Sequence, residues 1–206
     1  MPRTSDARER LVRNAARLFL TRSYQTVGVE ELCAAADVRR GSFYHFFPGK
    51  SDLAKAVIDL HAAALWTRLD AAGAVPQRGD AAEAAARLHA AADAVGEIQA
   101  GFEARFGQVV GCPFGNLAAE LATTDDELRA HLAAVFAAWE LRLADLCRAA
   151  AEQGALRDGV DPGLLGRILV AQAQGAILLA KTGRSAAAEI PRALHQVIGA
   201  HLRENA

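Results

Sequence analysis

The sequence predicts an all-α fold of about nine helices, with a three-helix helix-turn-helix domain over 1–50 and a larger helical domain over 51–206. Three observations predict it. Alanine is the commonest residue and aromatics make up only 6% of the chain, which favours helix because Ala has the best helix propensity and strand formers are scarce. Apolar residues recur at three- and four-residue spacing through most of the length. Gly and Pro mark most of the joints between the periodic stretches.

The first helix runs from Thr4 or Ser5 to Arg22, with Leu11, Ala15 and Phe19 on one face and Arg10, Arg13 and Arg17 largely elsewhere. Ser23-Tyr24-Gln25-Thr26 breaks that pattern. A second stripe, Val29, Leu32, Cys33 and Ala36, begins near Gly28, which is an acceptable N-cap. Asp37-Val38-Arg39 is a tight connection, and Arg40 to Phe46 forms a short third helix before Pro48-Gly49. Two short helices so closely joined outline a helix-turn-helix. From Lys50 or Ser51 a longer helix carries Leu53, Val57, Leu60 and Leu65 to Leu69, and residues 73–80 read as a loop.

Residues 81–109 are helical in composition, although Gly96 and Gly101 leave a single straight helix open. Gly111-Cys112-Pro113-Phe114-Gly115 interrupts, and a short helix follows over Asn116–Ala122. Thr124 and Glu127 have capping-box spacing at the head of the next helix, whose stripe is Leu128, Leu132, Val135, Phe136, Trp139, Leu143, Leu146 and Cys147. After Gly154 and Gly159, Asp161-Pro162 offers a cap followed by Pro at the first helical position. The helix it starts, 162–181, is apolar almost all round and needs burial on two sides, which an interface between two copies of the chain would supply. A last helix spans Ile190 to Leu202.

The net charge of −1 conceals an asymmetry: residues 1–50 hold nine basic and five acidic side chains, a net +4 that leaves −5 for the remainder. A cationic head on an anionic body suits phosphate attraction by the head. The N-terminus lacks the basic-then-apolar plan of a secretory leader, and no uninterrupted apolar run approaches membrane-spanning length, so a cytoplasmic protein without membrane contact is expected. Cys33, Cys112 and Cys147 are too few and too scattered for a disulfide framework or a zinc site. The histidines show no metal-ligand spacing, and no phosphate loop or nucleophile motif is present, which argues against an enzyme and against a cofactor.

The run VEELCAAADVRRGSFYHFFPGKSDL over residues 29–53, with Phe19 and Tyr24 upstream, closely resembles the DNA-binding signature of the TetR (tetracycline-repressor) family. Two residues depart from it: Arg39 replaces the Ser or Thr often seen at the entry of the recognition helix, and Gly28 stands where Ser or Thr usually caps the second helix. The resemblance implies a DNA-binding transcriptional regulator, a repressor that binds a palindromic operator as a homodimer and is released by a small-molecule inducer. Arg39 and Arg40 are the expected base readers, because Arg donating twice to guanine is the commonest specific contact; contact with phosphate alone is the alternative. Gly41 permits close approach to the groove. Ser42 reaches a base edge or a phosphate, and Phe43 or Phe47 packs into the head. By similarity, Tyr44, His45 and Lys50 contact phosphates, and Thr26 and Gly28 offer a hydroxyl and an amide to the same end.

The stretch Gly111 to Leu121 resembles a branch of the same family, which implies a variable ligand-binding body whose last two helices pair across a dimer. An apolar pocket with few polar handles is expected among Trp66, Phe102, Phe106, Phe114, Trp139 and Gln172. Cys112, ahead of a helix N-terminus that would lower its pKa, suggests an alternative in which the inducing signal is an oxidant or electrophile. A further alternative is a helical interaction protein that does not bind DNA, distinguished by the absence of a steep salt dependence.

Overall fold

In the computed structural model, which describes residues 4–73 and 79–204, aspartate side chains (Asp80, Asp125 and Asp161) cap the starts of three of the long helices. Nine helices occur among the described residues: α1 (Thr4–Thr21), α2 (Val29–Ala36), α3 (Arg40–Phe46), α4 (Lys50–Gly73), α5 (Ala81–Phe106), α6 (Pro113–Leu121), α7 (Asp126–Glu152), α8 (Pro162–Gly183) and α9 (Glu189–His201). The only β-type pairing among those residues is one isolated bridge, Leu156 with Leu202. Most of the loop expected over 73–80, namely 74–78, lies outside the described residues.

Asp161 caps α8 as expected, its Oδ1 accepting from the amides of Gly163 (2.7 Å) and Leu164 (3.1 Å). Three expectations need correction or completion. α6 begins at Pro113, not Asn116, because a Pro at a first helical position lacks only an amide that the helix could not use. The capping box of Thr124 and Glu127 does not form: Asp125 Oδ1 takes the Leu128 amide at 2.9 Å, and Glu127 reaches Lys55 at 2.6 Å. α5 is continuous through Gly96 and Gly101, capped by Asp80 and ended by Gly107 at φ 75°.

Packing divides the chain into two units, Met1–Ala63 with Pro113–Ala133, and Ala64–Cys112 with Ala134–Ala206. In the first, α1 packs against α2, α3 and α6 around Leu11, Phe19, Leu32, Phe43, Leu53 and Ile58, each at most 2% exposed. In the second, α9 packs against α5 and α8 over Leu88, Trp139, Leu165, Ile177 and Ile190. Two glycines there mark close approaches. A Cβ at Gly166 would lie 2.6 Å from the Ala144 amide nitrogen on α7, and one at Gly96 would lie 2.7 Å from Pro191 on α9.

α8 is, by length and composition, apolar enough to cross a membrane, although Arg167, Gln172 and Gln174 interrupt its sequence. It packs instead as a body helix, with Leu165, Leu169, Val170, Ala173 and Ile177 turned inward. Leu164, Ile168, Ala171, Gly175 and Leu178 remain exposed at helical spacing on another face, and nothing within 4 Å would meet a Cβ at Gly175.

Candidate nucleic-acid interface

α1 sets up the helix-turn-helix by supplying Arg10, whose Nε donates to the Ala36 carbonyl (2.9 Å) and whose Nη2 donates to that of Asp37 (3.2 Å). These carbonyls end α2, where the helix leaves acceptors without internal partners. The turn itself rests on Asp37, held in the left-handed region at φ 51°, a conformation that Asp adopts more readily than most residues. Val38 then donates to Cys33 at 2.9 Å, and Arg39, extended at φ −71° and ψ 146°, is the N-cap of α3.

One face of α3 anchors it and the other is open. Phe43 is fully buried and Phe47 nearly so, so both rings pack into the head, with centroids 6.0 Å apart. Arg39, Arg40, Gly41, Tyr44 and His45 are exposed, and Ser42 is half-buried. Arg39 forms no ion pair among the described residues. Arg40 pairs with Glu30 at 3.0 Å and lies 5.8 Å from the Tyr44 ring centroid, in a pair so exposed that breaking it costs little. A Cβ at Gly41 would meet nothing within 4 Å, so the packing of this chain does not require glycine there.

Beside α3, the loop between α1 and α2 is held from both sides. Lys50 Nζ donates to the carbonyls of Tyr24 (3.0 Å) and Val27 (3.2 Å) and lies 4.2 Å from the centroid of the Tyr24 ring. Burial lowers the Lys50 pKa, and Glu120 opposes that shift. Two of its three N–H donors are thus committed to the loop, leaving one for another acceptor. Glu120, on α6, accepts from Ser23 Oγ (2.8 Å) and from the amides of Gln25 (3.2 Å) and Tyr24 (3.3 Å). Thr26 and Gly28 are exposed, with Gly28 the N-cap of α2. Arg10 and Glu120 carry no signal in the sequence, since each acts on residues more than 25 positions away.

The residues expected to bind a ligand do not all fall in one unit: Phe114 is buried in the first, and the other five belong to the second. Arg142 Cζ stacks 4.2 Å from the Trp66 ring centroid, and the Phe102 and Phe106 centroids are 6.4 Å apart. Trp139 is 2% exposed with Nε1 buried, and lines a void of about 10 Å³ with Leu88, Val95, Leu143, Leu169 and Leu194, room for roughly one water. Gln172 is half-buried. A cleft of about 750 Å³ opens between α4 and α5, lined by Ala64, Thr67, Arg68, Asp93, Ala94 and Glu97, and by none of the six. Cys112 is 6% exposed, and its Sγ accepts from Gln174 Nε2 at 3.3 Å.

A short cationic helix displayed on a helix-turn-helix, anchored by buried Phe43 with Tyr44 and both arginines left outside, defines a DNA-binding regulator. Residues 11–57 match the family model described as bacterial regulatory proteins, tetR family, and residues 84–196 match the tetracyclin repressor-like C-terminal domain. The chain belongs to the TetR family of transcriptional regulators. It is 34% identical over 180 residues to the transcriptional regulator AcuR of Cereibacter sphaeroides, covering 87% of this chain and 78% of that protein. It is 32% identical over 183 residues to the HTH-type transcriptional repressor DhaR of a Mycobacterium species, covering 86% and 84%. The crystal structure of a regulatory protein TetR from Rhodobacter sphaeroides superposes with a TM-score of 0.80 at 31% identity, over 96% of this chain and 99% of that one.

Proposed function

We propose that this regulator is a repressor that binds a palindromic operator as a homodimer and is released by a small-molecule inducer, working in the cytoplasm. The head, 1–50, reads DNA: Arg39 and Arg40 contact base edges, Gly41 lets the helix come close, and Ser42 bonds a base edge or phosphate. Thr26, Gly28, Tyr44, His45 and the remaining donor of Lys50 fix the register on phosphates. The observation that carries this reading is the exposed face of α3, where two guanidinium groups precede a glycine that packing does not need. The body, 51–206, dimerises and binds the inducer. The exposed stripe Leu164, Ile168, Leu178 on α8, with small Ala171 and Gly175 at its centre, supports self-association through a two-fold face.

The candidate place for the inducer is the groove of about 750 Å³ between α4 and α5, which is open to solvent and crossed by the Arg68–Glu97 ion pair at 2.5 Å. α4 runs from Lys50 to Gly73, so the helix that lines this cleft also carries a proposed phosphate contact. A ligand releases DNA only by as much as it prefers the incompetent state.

The test is fluorescence anisotropy of a labelled duplex, obtained by selection with the wild-type protein, against wild type, Arg39→Ala and Arg40→Ala at one salt concentration. Each substitution should cost about 1–3 kcal/mol for that duplex and much less for a random one. Equal losses on both duplexes would assign the two arginines to phosphate and remove them from base reading.

A further inference from the structure

We infer that Glu120, on α6 and far in sequence from the helix-turn-helix, is a positioning residue for DNA binding: its carboxylate sets the α1–α2 loop so that Thr26 and the N-terminus of α2 meet phosphate. The inference rests on the proposed phosphate contacts of Thr26 and Gly28.

Between Thr21 and Val29 the chain is not helical; Arg22 still donates to the Leu18 carbonyl at 2.9 Å, so the amides of residues 23–28 are the ones that need partners outside a regular helix. Glu120 supplies three bonds at the centre of this stretch. Its Oε2 accepts from Ser23 Oγ at 2.8 Å and from the Gln25 amide at 3.2 Å, and its Oε1 accepts from the Tyr24 amide at 3.3 Å. The acceptors of the same loop are held by Lys50, through the carbonyls of Tyr24 and Val27. A carboxylate thus holds the loop's donors and an ammonium its acceptors. The Tyr24 ring, 9% exposed and 5.1 Å from that of Phe19, anchors the loop between them.

α6 is fixed well enough to act as a support. Phe114, Leu117 and Leu121 are each at most 3% exposed, α6 packs on α1, and the whole helix belongs to the unit that contains the helix-turn-helix. What leaves this loop toward solvent is the group expected to meet DNA. Thr26, exposed, donates its hydroxyl proton to the Ser23 carbonyl at 3.2 Å, so fixing Ser23 fixes Thr26 and leaves its backbone N–H as the group that meets phosphate; Gly28 follows two residues later.

The sign of the effect separates positioning from simple electrostatics. A carboxylate on a DNA-binding head opposes the approach of phosphate, so if its charge were all that mattered, removing it would tighten binding. If it positions the loop, removing it weakens binding and also reduces the number of phosphates engaged. That number is read from the salt dependence of affinity.

The experiment measures binding of wild type, Ser23→Ala, Glu120→Gln, Glu120→Ala and the double variant Ser23→Ala/Glu120→Ala to a random-sequence duplex across a salt series, with helicity and unfolding midpoint recorded for each protein. Glu120→Ala should bind about tenfold more weakly. Its plot of log affinity against log salt should be shallower by about 0.9 for each phosphate no longer engaged. Glu120→Gln, which keeps an acceptor oxygen, should recover part of both. The double variant should be little weaker than Glu120→Ala alone, since both changes remove the same bond. A merely structural role would lower the unfolding midpoint and leave the salt slope of the folded protein unchanged. If Glu120→Ala fails to fold, Ser23→Ala and Glu120→Gln carry the measurement. Wild-type slope and affinity retained in the folded variants would overturn the role of Glu120 while leaving the DNA-binding reading intact; no salt-dependent binding by wild type would sink both.

Discussion

Gly166→Ala should destabilise the protein, whereas the same change at Gly101 should stabilise it. Both positions are helix interiors, so alanine gains about 1 kcal/mol of helix propensity at either. Their surroundings differ. At Gly101, on exposed α5 surface, a Cβ meets nothing within 4 Å. At Gly166 it would lie 2.6 Å from the nitrogen, 2.9 Å from the Cα and 3.0 Å from the Cβ of Ala144. These are backbone and near-backbone atoms of α7 and cannot rotate away, so α7 and α8 would have to separate. Overpacking of this kind costs about 1–3 kcal/mol, and the upper part of that range applies where no flexible side chain can yield. Net of propensity, Gly166→Ala should lose about 1–2 kcal/mol, and Gly101→Ala should gain about 1 kcal/mol. For a chain of this size that is a fall of about 2–8 °C and a rise of about 2–4 °C in melting temperature. Urea and thermal unfolding followed by circular dichroism, at matched protein concentration, would measure both. A Gly166→Ala protein as stable as wild type would refute the close approach of α7 and α8.

Other consequences follow from single side chains. Burial pushes the His61 pKa down to about 4 from 6.5, so the native imidazole stays neutral while the unfolded chain takes up a proton. Stability from this source is complete above about pH 6.5 and is lost as pH falls toward 4, by about 3 kcal/mol in total. His61→Gln should flatten the dependence of unfolding midpoint on pH across that window, and an unchanged dependence would contradict the assignment. Leu178 and Leu179, 58% and 71% exposed, should mark the dimer face: Leu178→Glu with Leu179→Glu should elute as a folded monomer in light-scattering chromatography, and a retained dimer would place the interface elsewhere. Burial raises the Cys147 pKa to about 12, so this fully buried thiol should resist alkylation until the protein unfolds. If the inducer is a non-reactive small molecule, peroxide should leave wild type and Cys112→Ser equally bound to DNA; release of wild type but not of the variant would favour the redox alternative.

What the sequence made legible was local. The limits of α3 follow from Arg39 to Pro48, and the start of α8 from Asp161-Pro162, because a cap or a Pro constrains the backbone within a turn of itself. The misplaced start of α6 has the same origin: Pro113 reads as a break, although proline is equally at home at a first helical position. The spacing of Thr124 and Glu127 fits a capping box, but spacing says nothing of the partners that compete for either side chain. Glu127 is drawn toward Lys55, 72 residues away, and Asp125 takes the cap. The DNA-facing side of α3 was readable from the resemblance of residues 29–53 to the family signature, which implies Arg39, Arg40, Tyr44 and His45 on DNA and Phe43 or Phe47 in the head. Arg10, Glu120 and the structural bonds of Lys50 were not, since each is a tertiary pairing whose partner backbone atoms carry no sequence signature. The cleft between α4 and α5 was hidden for another reason: five of its nine lining residues are alanine (Ala64, Ala71, Ala72, Ala90 and Ala94), which read as helix, and the charged ones read as an ordinary solvated face.

Base reading by α3, twice per assembly, is tested most directly by selection of duplexes from a random pool with the purified protein. Enrichment of a palindrome with half-sites about one helical turn apart, or a multiple of it, and with guanines that lose their enrichment when Arg39→Ala and Arg40→Ala are combined, is the predicted result. A pool that stays random, or a motif unchanged by that double substitution, would contradict it.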